Sequence, residues 1–227
     1  MKHKGKAFQA AVKLIVIGAI LCGVVGLALS LLGVNIAAAI GAALVPALLF
    51  IAFTLYFFRD PDPNVPAGNE LVVAPGHGKV DLIDEAEEPN VIGGRCRRIS
   101  IFLSVFDVHV QQAPITGAIS YFKHTPGAYL NAMSADCANH NENVLLGFKA
   151  ASPSKNVVGV RLITGLIARR IVPWVTQGDT VAKGERISLI QFGSRVNVYL
   201  PLNSEVIVKL GDRVVGGESV LARLAAN

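Results

Sequence analysis

The sequence predicts an α+β fold, in which a transmembrane helical hairpin precedes a β-rich domain of sandwich- or barrel-like architecture. Three observations carry this. From Leu14 to Phe58 there is no Asp, Glu, Lys or Arg, a run of 45 residues. Beyond Arg59 the composition becomes ordinary, with short Val- and Ile-rich runs punctuated by Gly, Pro, Asn and Asp. Helical periodicity is weak in that second part, although Ile167–Val175 fits a short helix or strand.

The apolar run comes first. A spanning helix needs about 20 apolar residues, so 45 suffice for two, with a break near Gly33-Val34-Asn35. The expected organisation is a basic arm and two membrane helices within 1–58, at 14–32 and 36–58. A secretory signal would have a shorter apolar core of about 7–15 residues. Ala37, Ala38, Ala39, Gly41, Ala42 and Ala43 allow close helix approach. Tyr56-Phe57-Phe58-Arg59 suits the headgroup layer on exit. Lys2, Lys4, Lys6 and Lys13 hold the N-terminus on the cytoplasmic side. Two crossings then return the body to that face, which gives an expected place at the cell (inner) membrane. A single re-entrant segment is the alternative, and it also keeps the body at a bilayer.

Charge excludes one class of partner. Those four lysines leave 17 of the 21 basic residues to face all 16 acidic ones beyond the apolar run. The pI near 9.2 therefore belongs to the arm, and the body lacks the dense basic face that nucleic acid requires. Cys22, Cys96 and Cys137 are odd in number and lack CxxC spacing. This argues against a disulfide framework or a metal site and fits a reducing compartment.

Asp60-Pro61-Asp62-Pro63 cannot continue a helix and opens a linker, 59–69, ahead of a domain over 70–227. Strands are expected at Glu70–Ala74, Lys79–Ile83, Arg98–Ser104, Ala118–Lys123, Val144–Phe148, Val157–Ile163, Arg186–Gln191, Arg195–Leu200 and Glu205–Leu210. One internal repeat is visible. Gln177-Gly-Asp-Thr-Val-Ala-Lys-Gly184-Glu185 is echoed by Leu210-Gly-Asp-Arg-Val-Val-Gly-Gly217-Glu218, each followed by an apolar strand. The GDxVxxGE turn is similar to the hammerhead turn of lipoyl and biotinyl carrier domains. A carrier would also need Met beside a modifiable Lys, and Met1 and Met133 lie far from the repeat.

Six blocks then fall in order: Tyr56-Phe-Phe-Arg-Asp-Pro61, Val73-Ala-Pro-Gly-His-Gly-Lys-Val80, Ile101-Phe-Leu-Ser-Val-Phe-Asp-Val-His-Val110, Asn141-Glu142, Ile163-Thr-Gly-Leu-Ile-Ala-Arg-Arg-Ile171 and Gln191-Phe-Gly-Ser-Arg-Val-Asn-Val-Tyr-Leu-Pro201. From residue 56 onward the chain resembles the short bacterial phosphatidylserine decarboxylases, which are pyruvoyl-dependent proenzymes. The resemblance implies self-cleavage between Gly193 and Ser194, giving chains 1–193 and 194–227 that stay together as a heterodimer. Ser194 would become the pyruvoyl cofactor. Its carbonyl would form a Schiff base with phosphatidylserine and act as the electron sink for decarboxylation to phosphatidylethanolamine. His109 is the implied proton donor to Cα, an imidazole being suited to neutral pH. Arg169 and Arg170 could meet lipid phosphate or form a solvated surface pair.

The chain departs from the family pattern at polar positions. His77 stands in Pro75-Gly76-His77-Gly78 where the family has Asp, Gln111-Gln112 replaces Asn-Arg, and Asn143 replaces Arg after Asn141-Glu142. Either His77 serves directly as base for Ser194, or the domain has lost its chemistry and persists as a lipid-binding relic. A non-enzymatic membrane adaptor is the other class that the anchor and β module allow. Homodimerisation through strand edges is also open. His124 and His140 are expected in surface or core roles.

Overall fold

The computed structural model describes residues 2–128, 140–151, 156–165, 170–191 and 193–225. It divides into two compact units, Lys4–Asp60 and Pro61–Asn227 with the first three residues.

The first unit is a helical hairpin of α1 (Lys6–Leu31) and α2 (Ile36–Phe57). At 1.5 Å per residue the helices are about 39 and 33 Å long, and both are long and apolar enough to cross a membrane. Helix α1 starts at Lys6 rather than near Leu14, because backbone hydrogen bonding and not apolarity sets a helix end. Gly33, at φ 80°, breaks the run. Asn35 caps α2 by accepting the Ala37 N–H at 2.9 Å. A Cβ on Gly26 would lie 2.9 Å from Ala43 Cβ, so here a glycine sets the spacing of the helices.

The second unit holds fourteen described strands: β1 (Leu71–Val73), β2 (Gly78–Glu88), β3 (Gly94–Leu103), β4 (Val110–Gln112), β5 (Gly117–Thr125), β6 (Asn143–Ala150), β7 (Val157–Thr164), β8 (Ile171–Pro173), β9 (Thr180–Val181), β10 (Arg186–Ile190), β11 (Ser194–Leu200), β12 (Glu205–Val206), β13 (Arg213–Val214) and β14 (Val220–Arg223). They form an eight-stranded antiparallel sheet, β13-β2-β3-β11-β7-β6-β5-β9, and two three-stranded sheets, β1-β14-β12 and β4-β10-β8. One apolar cluster draws on all three sheets, including Ile99, Leu146 and Val196 of the large sheet, Val72 and Leu221 of the second, and Ile187 of the third. This is the expected β-rich α+β architecture. Strands β2 and β3 run well beyond the expected Lys79–Ile83 and Arg98–Ser104, and two further expectations change. Glu205–Leu210 contracts to β12, since the Asp212 carboxylate takes the Lys209 N–H at 2.8 Å and starts a turn. Of Ile167–Val175, Ile171–Pro173 is strand and 166–169 lie outside the described residues.

The sheet order reads the same from both edges, and the visible repeat is the surface of that symmetry. Gly178 and Gly211 both have φ 95°, and Gly184 and Gly217 have 76° and 75°. Asp179 Oδ2 accepts the Thr176 N–H as Asp212 Oδ2 accepts that of Lys209, each at 2.8 Å. Gly178 donates to Ile119 O as Gly211 donates to Val80 O. Both repeats therefore end as two-residue edge strands, β9 on β5 and β13 on β2. Such short edges offer little template for further pairing. The matching contacts relate Ala74-Pro75 to Ala113-Pro114 and Val80 to Ile119. Strands β4–β10 thus form one copy, inserted between β3 and β11 of the other.

Candidate active site

Gly193-Ser194 lies at the seam where the inserted copy rejoins the outer one. Ser194 opens β11, in register with Leu103 of β3 on one side and Thr164 of β7 on the other. Alternation along β11 puts Ser194 on the core face with Val196 and Val198, and Arg195 on the opposite face. There Arg195 meets Asp81 at 2.6 Å and Ser100 Oγ at 2.6 Å. Ser194 is fully buried. Its hydroxyl has no hydrogen-bond partner among the described residues, which costs about 1–3 kcal/mol.

Residue 193 is pinned from both sides. Its carbonyl accepts the Gly165 N–H at 3.1 Å. Its own N–H donates to His109 Nε2 at 3.0 Å. An amide N–H can only donate, so Nε2 is the acceptor and His109 carries its proton on Nδ1, which donates to the Asp107 carbonyl at 2.9 Å. Gly193 sits at φ 73°, a left-handed conformation that favours glycine.

The elements around His109 explain its orientation. It is fully buried and follows a turn at 104–107, in which the Asp107 carboxylate accepts from the Ser104 N–H (2.8 Å) and Oγ (2.7 Å). The same carboxylate meets Arg213 at 3.1 Å, so His109 is oriented by the Asp107 main chain and not by its side chain. Gln111 donates to the His109 carbonyl at 2.6 Å and accepts from Ser188 Oγ at 2.7 Å. Gln111, one of the departures from the family pattern, thus ties the histidine strand to β10.

His77 directly precedes β2. It is half-buried, and its ring edge lies beside Gly216, where an added Cβ would fall 3.0 Å from His77 Cδ2. No hydrogen bond joins it to Ser194. The bend that carries it does cross the face Ser194 shares. A Cβ on Gly76 would touch Leu103 Cδ2 at 3.4 Å and Val196 Cγ2 at 3.6 Å. Only β3 separates β2 from β11, which sets their backbones about 10 Å apart. Arg170 is exposed and Arg169 lies outside the described residues. On the β7 side, Asn141 Nδ2 donates to the Thr164 carbonyl at 2.7 Å. His124 Nε2 lies 2.9 Å from Glu142 Oε1. Sequence reading missed that pair, because the partners are far apart in the chain and only the β5–β6 pairing brings them together.

A nucleophilic hydroxyl, buried beside a main-chain carbonyl that already accepts an N–H, can attack its own backbone. With membrane-length helices ahead of it, this β domain has the parts of a membrane-associated proenzyme. Comparison with known proteins narrows the class. The family model for phosphatidylserine decarboxylase matches residues 50–222, and the chain belongs to that family. It is 43% identical over 197 residues to a phosphatidylserine decarboxylase proenzyme of Symbiobacterium thermophilum, covering 87% of this chain and 89% of the relative. A proenzyme of the same name from Desulfotalea psychrophila is 42% identical over 78% of this chain and 82% of its own. One from Erythrobacter litoralis is 44% identical over 79% and 77%.

Proposed function

We propose that the chain is a phosphatidylserine decarboxylase that cuts itself between Gly193 and Ser194 and carries its electron sink at residue 194. The observation that carries this reading is the pairing of a buried, unbonded Ser194 hydroxyl with a Gly193 carbonyl polarised by the Gly165 N–H.

The cleavage chemistry follows from these contacts. Ser194 Oγ attacks the Gly193 carbonyl carbon, and the oxyanion develops where Gly165 N–H already donates. The C–N bond breaks, the hydroxyl proton passes to the departing amine, and an ester links the two residues. Loss of the Ser194 Cα proton then expels the Gly193 carboxylate and leaves dehydroalanine. Tautomerisation and hydrolysis release ammonia and leave a pyruvoyl group. The buried, unbonded position of Ser194 fits that group, which supplies an electron sink for decarboxylation of an amino acid headgroup. His109, held by the Asp107 carbonyl, loses the Gly193 N–H as that segment departs and is proposed to hold a proton at Nε2 for the substrate Cα. His77 is the proposed base for Ser194, supported by the bend that brings Gly76 against Val196 on the serine's face. Arg169 and Arg170 are proposed for the lipid phosphate. The two chains are proposed to remain one heterodimer at the cytoplasmic face of the cell membrane.

Intact mass tests this directly. Wild-type protein should resolve into two chains divided after Gly193, and Ser194→Ala should remain a single species near 24.0 kDa. A wild-type preparation that remains one species, with no carbonyl reactive to hydrazine, would overturn the reading. His77→Ala cleaving at the wild-type rate would remove His77 from its role and leave the rest intact.

A further inference from the structure

The turn at 104–107 raises a question of its own. Phe106 sits at its apex with 64% of its surface exposed, although the turn is built to be rigid. Asp107 closes it with three contacts, from Ser104 N–H, Ser104 Oγ and Arg213. A flexible loop could fold a phenylalanine inward, whereas this one holds it out. The turn also borders the scissile bond. It links Leu103, the register partner of Ser194, to His109, and a Cβ on Gly193 would lie 3.7 Å from Val105 Cγ1.

Cations lie on the elements that border the turn. Arg213 is 74% exposed and reaches Asp107. Lys79 is its exposed cross-strand partner. The neighbouring turn offers exposed Lys209 and Leu210, the latter 67% exposed. Among the described residues, the acids on these elements are Asp107, engaged by Arg213 and Ser104, Asp212, whose carboxylate takes the Lys209 N–H, and exposed Asp81, two residues beyond Lys79 and paired with Arg195. An apolar tip with Arg213 bonded to its turn and Lys79 across the strand from that arginine suits a headgroup layer. The ring enters the acyl boundary, and the cations face anionic phosphate.

We propose that the 104–107 turn is the element that docks this domain on an anionic phospholipid surface, with Phe106 as its apolar anchor and Arg213 and Lys79 against lipid phosphate. The turn thereby sets a lipid headgroup beside Ser194 and His109. That last step rests on the decarboxylase reading, whereas the docking itself does not.

The test uses full-length protein reconstituted in vesicles of phosphatidylcholine and phosphatidylserine with brominated acyl chains. Trp174 is the only tryptophan, so Phe106→Trp in a Trp174→Phe background reports from the tip alone. Its emission should shift to the blue and be quenched several-fold by the brominated lipid, less so when Lys79 and Arg213 are both changed to Glu. Leu202→Trp in the same background, at an exposed site elsewhere, should remain unquenched. Unquenched emission at position 106, or equal quenching at both sites, would overturn the proposal. So would emission protected from aqueous iodide yet blind to bromine, which would mean that protein, such as a second copy, covers the tip. Phe106→Ser should raise the apparent KM for phosphatidylserine in vesicles about tenfold, and Phe106→Leu should restore most of it. Quenching with no ethanolamine lipid formed would leave the docking standing and count against the decarboxylase reading alone.

Discussion

Replacing Gly193 with alanine probes the proposed chemistry at the residue that carries most of its geometry. The added methyl finds room, since its nearest neighbour is Val105 Cγ1 at 3.7 Å, an ordinary van der Waals contact. The cost falls on the backbone. A φ of 73° lies in the left-handed region, where a residue with a Cβ loses about 1–2 kcal/mol. Opposing that strain are the two hydrogen bonds of residue 193, from Gly165 N–H at 3.1 Å and to His109 at 3.0 Å. Each contributes about 0.5–1.5 kcal/mol. The two sides nearly balance, so a large share of the variant should leave the cleavage-ready conformation. Molecules that do so lose the oxyanion donor, a contact of the kind worth about 10²–10³ in rate. The net expectation is self-cleavage slowed about ten- to a hundredfold, with the chain still folded. Freshly purified Gly193→Ala protein, followed by intact mass at timed intervals, reads this out. Cleavage at the wild-type rate would refute the claim that left-handed geometry at Gly193 and the Gly165 contact drive the reaction.

Two further outcomes are expected of the domain around the site. The fully buried Glu88 carboxylate accepts from the Val91 and Ile92 N–H groups at 2.6 and 3.2 Å and from Asn90 at 3.3 Å. Glu88→Ala should therefore cost about 2–3 kcal/mol in urea unfolding of the uncut Ser194→Ala protein, and Glu88→Gln clearly less; equal losses would refute the turn-clasp role. Burial pushes the Cys96 thiol up to about 11, with help from the Glu88 charge. Raising a thiol's pKa favours its neutral form, so at pH 8 only about one molecule in a thousand carries the thiolate. Iodoacetamide at that pH should label Cys96 in urea but not in folded protein, as peptide mapping would report; rapid native labelling would contradict the packing of Cys96 against Leu145 and Tyr199.

How much of this was legible beforehand differs by element. The helical hairpin was, because an uncharged run of this length has few other uses and Gly33 and Asn35 are a helix stop and a cap. Strands β2 and β3 were legible only in their apolar halves. Their outer halves, Asp84–Glu88 and Gly94–Arg97, fell outside the expected strands, yet cross-strand pairs such as Glu85 with Arg97 and Arg98 with Asp84 continue the sheet through them. The GDxVxxGE turns were legible as a repeat. The deeper duplication was not, since one copy interrupts the other and the halves share little beyond Ala-Pro, a glycine and an apolar strand start. At the candidate site, Gly193, Ser194 and His109 stood out through their blocks, and the structure brings these three together. The Gly165 N–H could not have stood out, because a main-chain amide has no signature in a sequence. His77 was singled out for its identity, but where a histidine's ring turns depends on neighbours such as Gly216 that are remote in the chain.

The nesting of one copy inside the other bears on what a break after Gly193 would release. Everything from Ser194 onward belongs to the outer copy, and β11 is hydrogen-bonded along its length to β3 on one side and β7 on the other. Strands β13 and β14 are laced to β2 and β1. The severed segment would sit as a fragment complement whose escape requires the central sheet to come apart. Its off-rate would equal the global unfolding rate of the domain, and dilution alone would not separate the pieces.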